Sequence, residues 1–304
     1  MRGLVNLIRL ARPSHWMKNL FVFAALLFSR KVADPAAIGE AVVAFAGFCL
    51  ASSAIYAVND ALDRKEDARH PVKRRRPVAA GQIGPVAATI FALVLGAASL
   101  AVAATLTGRF VLTVAAYLVL MIAYVAGLKR VAVLDVLIIA SGFVVRAYAG
   151  GVAIDVPVTA WLALCTLALA LFLGFAKRES ERVALGSAAA ETRPVEWAMY
   201  DAKTLDHMMT VTATLAIATY MLYTVSPETV DRVGHRWMFL TVLPVVYAIF
   251  RFYRQAISGL ATGPVEMVRR DPAFVIALVV WVVMAAALLF ANSIIGRLGL
   301  PGSG

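Results

Sequence analysis

Asn59, Asp60, Asp63 and Asp67 fall within nine residues where a long apolar stretch ends. On a helix that continues past this point, Asn59, Asp63 and Asp67 recur at i, i+4 and i+8. Each step turns about 400° and so drifts about 40°, which keeps the three on one face, about 6 Å apart along the axis. Oxygen donors aligned in this way suit Mg²⁺, which is usually held by one or two carboxylates together with substrate phosphates and retained water. The rival reading is a solvated loop with ordinary i,i+4 charges. Against it stands the cost of unpaired carboxylates at a membrane boundary. Directly after the acids comes His70-Pro71-Val72-Lys73-Arg74-Arg75-Arg76-Pro77. Alone, such a run anchors a membrane face to anionic lipid. Beside a metal-binding row it becomes the other half of a polyphosphate site, with Arg74, Arg75 and Arg76 binding the oxygens that Mg²⁺ does not bridge. His15, His70, His207 and His235 are scattered and suggest no metal cluster of their own.

The elements that must position these residues follow from composition. Of 304 residues, 62% are apolar and 15% charged, and mean hydropathy is +0.81. Soluble domains run at about 45–50% and about 25%, so the reading is an all-α polytopic membrane protein. With 20 Gly, 12 Pro and 2 Cys, disordered, collagen-like and disulfide-scaffold classes are excluded. Cys49 and Cys165 both lie in apolar stretches. A transmembrane helix takes about 20 apolar residues, and nine segments qualify approximately: 16–29, 38–58, 83–106, 110–128, 131–154, 158–176, 208–225, 237–253 and 272–295.

The net charge of +11 is explained by cytoplasmic Lys/Arg bias rather than by nucleic acid. With the N-terminus inside, 22 of the 29 basic residues fall on the inner side and six on the outer. That bias sets N-in and, with nine spans, C-out. The first residues read as an amphipathic, retained start rather than a cleaved signal. Residues 1–304 read as one integral-membrane domain whose charged loops 59–82 and 177–207 cap an active site on the cytoplasmic face of the plasma (inner) membrane. Ala-rich spans permit a homo-oligomer without requiring it.

Further cations stand near the same face. Lys129 and Arg130 end the fourth span, and Lys177 and Arg178 end the sixth; all four also fit snorkelling anchors. Arg146 lies deep in the fifth span, about 16 Å from Asp135 and about 20° away in angle. A charge at that depth faces the bundle interior, either binding a phosphate or pairing with a carboxylate of another helix.

The acid row at the inner end of the second span, followed by Arg76-Pro77-x-x-x-Gly81, resembles the first aspartate motif of the UbiA superfamily of intramembrane prenyltransferases. Arg12-Pro13 and Tyr124-x-x-x-x-Lys129-Arg130 extend the likeness over most of the chain. The resemblance implies nine helices around a central cavity, and it ranks Lys129 and Lys177 above their neighbours. Members carry a second Asp-rich motif near the end of the sixth span. Here that region reads Gly174-Phe175-Ala176-Lys177-Arg178-Glu179-Ser180-Glu181-Arg182. The acidic spacing is lost and bare cations would suit phosphates bound without metal.

One metallated diphosphate plus separate phosphate sites fits phosphoribosyl pyrophosphate (PRPP) as donor and a polyprenyl monophosphate as acceptor. The variant pattern is similar to the branch of the superfamily that makes this transfer to decaprenyl phosphate, supplying arabinose donors for the cell wall. In this reading Asp63 and Asp67, with Asn59 and Asp60, are catalytic through the metal they hold. Arg74–Arg76 take PRPP phosphates, Lys18 takes the acceptor phosphate, and Lys129, Arg146, Lys177 and Arg178 are further phosphate ligands. Asn19, Tyr56, Tyr124 and Tyr148 offer hydrogen bonds to ribose. The alternatives are a conventional prenyltransferase using a prenyl diphosphate and an aromatic acceptor, or a transporter that performs no chemistry.

Overall fold

Proline and short polar caps set where the helices begin, and a computed structural model describes residues 2–29, 31–185, 200–260 and 263–297. All regular structure among these described residues is helical. Those up to Leu167, together with Tyr200, form one compact unit; those of 168–185 and from Asp201 onward form a second.

In the first unit, α1 (Arg2–Ala11) stops at Arg12, whose φ of 52° is left-handed, and Pro13 opens a 3-10 run over Pro13–Phe23. A short α2 (Ala24–Leu27) follows. Helix α3 (Pro35–Leu62) starts with Pro35 in its first turn and the Asp34 carboxylate accepting from the Ala36 amide at 3.0 Å, a favourable helix start. Next come α4 (Arg64–Arg69), α5 (Pro85–Ala104), α6 (Gly108–Ala126), α7 (Leu134–Ala153) and α8 (Ala160–Leu185), the last running on into the second unit.

The core of this unit is built on α3. Ala37, Ala41, Ala44, Gly47 and Ala51 are buried along it, and small residues let backbones approach where lipid provides no hydrophobic drive between helices. The Ser99 hydroxyl accordingly donates to the Gly47 carbonyl at 3.0 Å. Phe48 meets Phe110 and Tyr117 edge-on. The 3-10 run is pinned to α3 by Trp16 Nε1 donating to Ser53 Oγ (3.0 Å) and Asn19 Nδ2 donating to Ser52 Oγ (3.1 Å). It also lies so close to α7 that a Cβ on Gly150 would stand 1.9 Å from the Val22 carbonyl oxygen.

The second unit contains the end of α8, α9 (Ala202–Val225), α10 (Pro227–Val233), α11 (Val242–Ile257), α12 (Pro264–Arg270) and α13 (Pro272–Arg297). Phe252 packs between Phe172 and Phe274. Trp281 Nε1 donates to the Tyr220 hydroxyl at 2.7 Å.

Eight helices among the described residues are long and apolar enough to cross a membrane. They answer to eight of the nine expected spans; 16–29 is not among them. That segment takes the 3-10 path, whose eleven residues extend about 22 Å at about 2.0 Å each, against about 16 Å for an α-helix. The charged loops are also shorter than expected. Residues 59–62 stay in α3, and 177–185 stay in α8. Within 177–207, residues 186–199 lie outside the described residues.

Candidate active site

Helix α3 ends at Leu62, and Asp63 (φ −86°, ψ 7°) interrupts it before α4. Two i→i−4 bonds nevertheless cross the break: Asp63 N donates to Asn59 O at 2.9 Å and Asp67 N to Asp63 O at 2.8 Å. The acids therefore keep nearly helical spacing, but their side chains sort into two pairs rather than one row. Lys129 Nζ donates to Asp63 Oδ2 at 2.6 Å and to Asn59 Oδ1 at 3.3 Å. Arg76 Nη1 donates to Asp67 Oδ2 at 2.5 Å and to Asp60 Oδ1 at 3.3 Å.

Helical drift explains the sorting. Taking Asn59 as zero at 100° per residue, Asp63 stands at about 40°, Asp67 at about 80° and Asp60 at about 100°. Asp67 is thus nearer in angle to Asp60 than to Asp63. One cation bridges each pair.

Two more cations close the cluster. Arg12 Nη2 donates to Asp60 Oδ1, and its guanidinium lies over the Tyr56 ring, 4.9 Å from the centroid. Burial pulls the Arg12 pKa down, and the facing Asp60 pulls it back up; the guanidinium stays charged at any relevant pH. Lys73 Nζ is 3.9 Å from Asp67 Oδ1. Residue type and spacing single out neither Arg12 nor Lys73 as a site residue. The only signal for Arg12 is its place beside Pro13, which lets the chain turn sharply enough to aim it back at α3.

The basic run divides. Lys73–Arg75 form a 3-10 turn, capped by His70 Nδ1, which accepts from the amides of Val72 (3.2 Å) and Lys73 (3.3 Å). Arg76 is turned toward the acids, whereas Arg74 and Arg75 are exposed. Lys129 sits on the 3-10 turn Leu128–Arg130 and is buried, while its neighbour Arg130 is exposed and pairs with exposed Glu66 at 3.2 Å. An exposed pair of that kind contributes at most about 1 kcal/mol. Lys18 is half-buried on the 3-10 run.

Arg146 is buried in α7, and no carboxylate lies in ion-pair range of it among the described residues. Its Nε donates to Asn19 Oδ1 (2.8 Å), its Nη1 to Gly142 O (2.9 Å) and its Nη2 to the Tyr117 hydroxyl (2.6 Å). The rings of Tyr117 and Phe143 flank it at 4.7 and 5.2 Å. The pairing alternative is thus not found, and the Asn19 amide is engaged by Arg146, Cys49 and Ser52.

Lys177 and Arg178 are not bare. On α8 they approach Glu181 at 3.6 and 3.4 Å, and Arg182 holds Glu179 at 2.7 Å. The cations that replace the second acidic motif neutralise the carboxylates left within it.

Among the described residues no three acidic, His or Cys side chains converge as a metal cage. Mg²⁺ rarely uses one, relying on one or two carboxylates plus substrate oxygens. The donor chemistry fits that mode: Asp60 Oδ2 is a buried carboxylate oxygen with no hydrogen-bond partner among the described residues, in a residue only 1% exposed. An acceptor left over near the Asp67 carboxylate that shares Arg76 with it is what a hard cation would take.

The UbiA prenyltransferase family profile matches residues 19–263. The chain is 36% identical over 300 residues to the decaprenyl-phosphate phosphoribosyltransferase of Mycolicibacterium smegmatis, covering 94% of this chain and 93% of that one. It is 31% identical to the protein of the same name from Corynebacterium glutamicum, covering 91% and 84%. A solved UbiA homolog from Archaeoglobus fulgidus bound to GPP and Mg²⁺ has the same fold, with a TM-score of 0.67 at 17% identity over 94% of this chain and 98% of that one. Both the acid row and its cation partners lie within, or just ahead of, the matched stretch, and the chain belongs to the UbiA prenyltransferase family.

Proposed function

We propose that this protein transfers the 5-phosphoribosyl group of PRPP to a polyprenyl (decaprenyl) monophosphate and releases pyrophosphate. The observation that carries the reading is the 36% identity, spread over nearly the whole chain, to a decaprenyl-phosphate phosphoribosyltransferase. The loss of the second acidic motif supports it, because a prenyl diphosphate donor would need that charge. A fold neighbour solved with Mg²⁺ supports metal dependence. Counting the 3-10 run and α2 as a crossing of about 28 Å, the topology is nine spans, N-in and C-out, around a cavity open to the cytoplasm, in the inner membrane.

Mg²⁺, held by Asp63 and Asp67 with Asn59 and Asp60 in support, would stabilise charge on the departing diphosphate. The chain's own cations do the rest. Arg76 contacts both acids through Nη1 alone among the described residues, so Nε and Nη2 remain as donors to a phosphate. Lys129 spans Asn59 and Asp63 and can exchange a carboxylate oxygen for a phosphate oxygen without moving far. Arg74 and Arg75, exposed on the same turn, extend the basic surface toward the 5-phosphate. Lys18, Arg146, Lys177 and Arg178 are the remaining candidates for phosphate contacts.

Departure of diphosphate from ribose C1 leaves an oxocarbenium-like centre, and a lipid phosphate oxygen attacks it. That oxygen is already anionic near neutral pH, so no general base is required. Catalysis is then positioning and charge stabilisation.

The deciding experiment incubates purified protein in liposomes with Mg²⁺ and either PRPP plus decaprenyl phosphate or geranyl diphosphate plus an aromatic acceptor. Phosphoribosyl lipid and pyrophosphate are expected from the first pair only. Turnover of the second pair alone would replace this reading with a conventional prenyltransferase.

A further inference from the structure

Lys129 hangs on the short link between α6 and α7, and the far end of that link is strained. Val133 has φ 66° and ψ −45°, a conformation that a β-branched residue adopts only when its surroundings hold it there. The holding group is Tyr200. Its hydroxyl accepts from the Val133 amide at 2.5 Å and donates to Asp135 Oδ1 at 2.6 Å. Both side chains are inside: Asp135 is 0% exposed and Tyr200 6%. The link is knit by Leu134 N donating to Ala132 O, Asp135 N to Val131 O and Val131 N to Leu128 O, so a shift at Val133 is carried back to the 3-10 turn Leu128–Arg130 that bears Lys129. At that end the tolerance is small. Lys129 Nζ must reach both Asp63 oxygens and Asn59 within 2.5–3.3 Å, and hydrogen bonds weaken steeply beyond that range.

We infer that Tyr200 is a positioning residue for the reaction: clasped to Asp135, it fixes the α6–α7 link and so sets Lys129 against Asn59 and Asp63. The inference deepens the proposed function, since it takes Lys129 to belong to the transferase site. A phenol is suited to the task because one oxygen accepts from an amide and donates to a carboxylate; phenylalanine keeps the ring and loses both bonds.

The test has one arm that does not depend on the reaction. The full-length protein in detergent is treated with an amine-acylating reagent, and modification of Lys129 is followed by peptide mass spectrometry, with exposed Lys65 as reference. In Tyr200→Phe, Lys129 should be acylated several-fold faster while Lys65 is unchanged; Asp135→Ala should do the same, and Asp135→Asn, which keeps an acceptor oxygen, should stay near wild type. In the second arm, Tyr200→Phe should lower kcat/KM for phosphoribosyl transfer about 10- to 100-fold but cause no further loss in a Lys129→Met background, because effects routed through one group do not multiply. Unchanged Lys129 acylation in both Tyr200→Phe and Asp135→Ala, or losses that multiply in the double variant, overturns the inference. Absence of any phosphoribosyl transfer by the wild type would instead overturn the proposed function, leaving the acylation arm to decide the clasp.

Discussion

Two charged clusters in this chain are built in opposite ways. At the end of α3, every acid is met by a cation from elsewhere in the sequence: Asp60 by Arg12 and Arg76, Asp67 by Arg76, Asp63 by Lys129. At the end of α8, Lys177 and Arg178 reach Glu181, and Arg182 reaches Glu179, all within one helical turn. A partly exposed local pair such as Lys177–Glu181 contributes about 0.2–0.5 kcal/mol and needs no tertiary structure, whereas Glu179 is buried and its pair with Arg182 also carries a desolvation cost. Buried pairs of the first kind carry a desolvation penalty that their attraction repays only with good geometry. Stability alone therefore does not account for such a cluster, and the leftover oxygen on Asp60 agrees with the metal role proposed for it.

The strongest way to break the contrast is to remove a bridging cation. Lys129→Met should lower phosphoribosyl transfer about 100- to 1000-fold, the usual loss for a preorganised charge-stabilising donor. Asp63→Ala should cause a loss at least as large and abolish the Mg²⁺ dependence of pyrophosphate release. Retained Mg²⁺-dependent release in the Asp63 variant would remove the acid row from the chemistry. Arg146→Leu tests a different kind of buried charge in the same unit. It strands Asn19 Oδ1 and the Tyr117 hydroxyl, each worth about 1–3 kcal/mol when left buried without a partner, so the thermal unfolding midpoint should fall clearly. Arg146→Lys should recover only part of that, since a point charge cannot serve Asn19, Gly142 and Tyr117 together.

These clusters also mark what could be seen in advance. Asn59, Asp63 and Asp67 were legible because residue type and helical spacing coincide at a membrane boundary, and the eight long helices because twenty apolar residues leave few alternatives. The split into 59/63 and 60/67 pairs was only half legible: the angles are in the sequence, but which cation arrives is a matter of tertiary path. Arg12 needed the left-handed turn before Pro13 to face Asp60. The 3-10 path of Pro13–Phe23 is hidden because an apolar composition does not distinguish 2.0 Å from 1.5 Å of rise per residue. Tyr200 stands in no pattern, and nothing local points it at Asp135.

A smaller effect is expected in the second unit at Asp271, the N-cap of α13. Its carboxylate accepts from Arg251 Nε (2.8 Å), Gln255 Nε2 (3.0 Å) and the Phe274 amide (3.0 Å). Burial raises its pKa, but these bonds outweigh burial and hold it at about 2, below the ordinary 3.8. A depressed carboxylate stabilises the fold fully above its unfolded pKa and loses that contribution as pH falls toward its folded value. Unfolding midpoints of the wild type should therefore drop between about pH 4 and pH 2, and Asp271→Asn should flatten that acid limb while starting lower at pH 7. An equal acid slope in both proteins would assign it elsewhere.

The smallest effect tests the local cluster directly. Lys177 is about half exposed in its side chain and meets Glu181 at 3.6 Å, one turn away. If that pairing is its main role, Lys177→Met changes stability by only a few tenths of a kcal/mol. It should then raise the KM for PRPP or for the lipid phosphate much less than Arg76→Met does, because Arg76 is already turned into the acids proposed to gather the diphosphate. The measurement is a pair of KM values for each variant in the liposome assay. A KM for either substrate raised by Lys177→Met as far as by Arg76→Met would enlist the α8 end as a phosphate ligand in spite of Glu181. Local pairing would then be a resting state of that cation rather than its function, and the difference between the two clusters would be one of timing and not of kind.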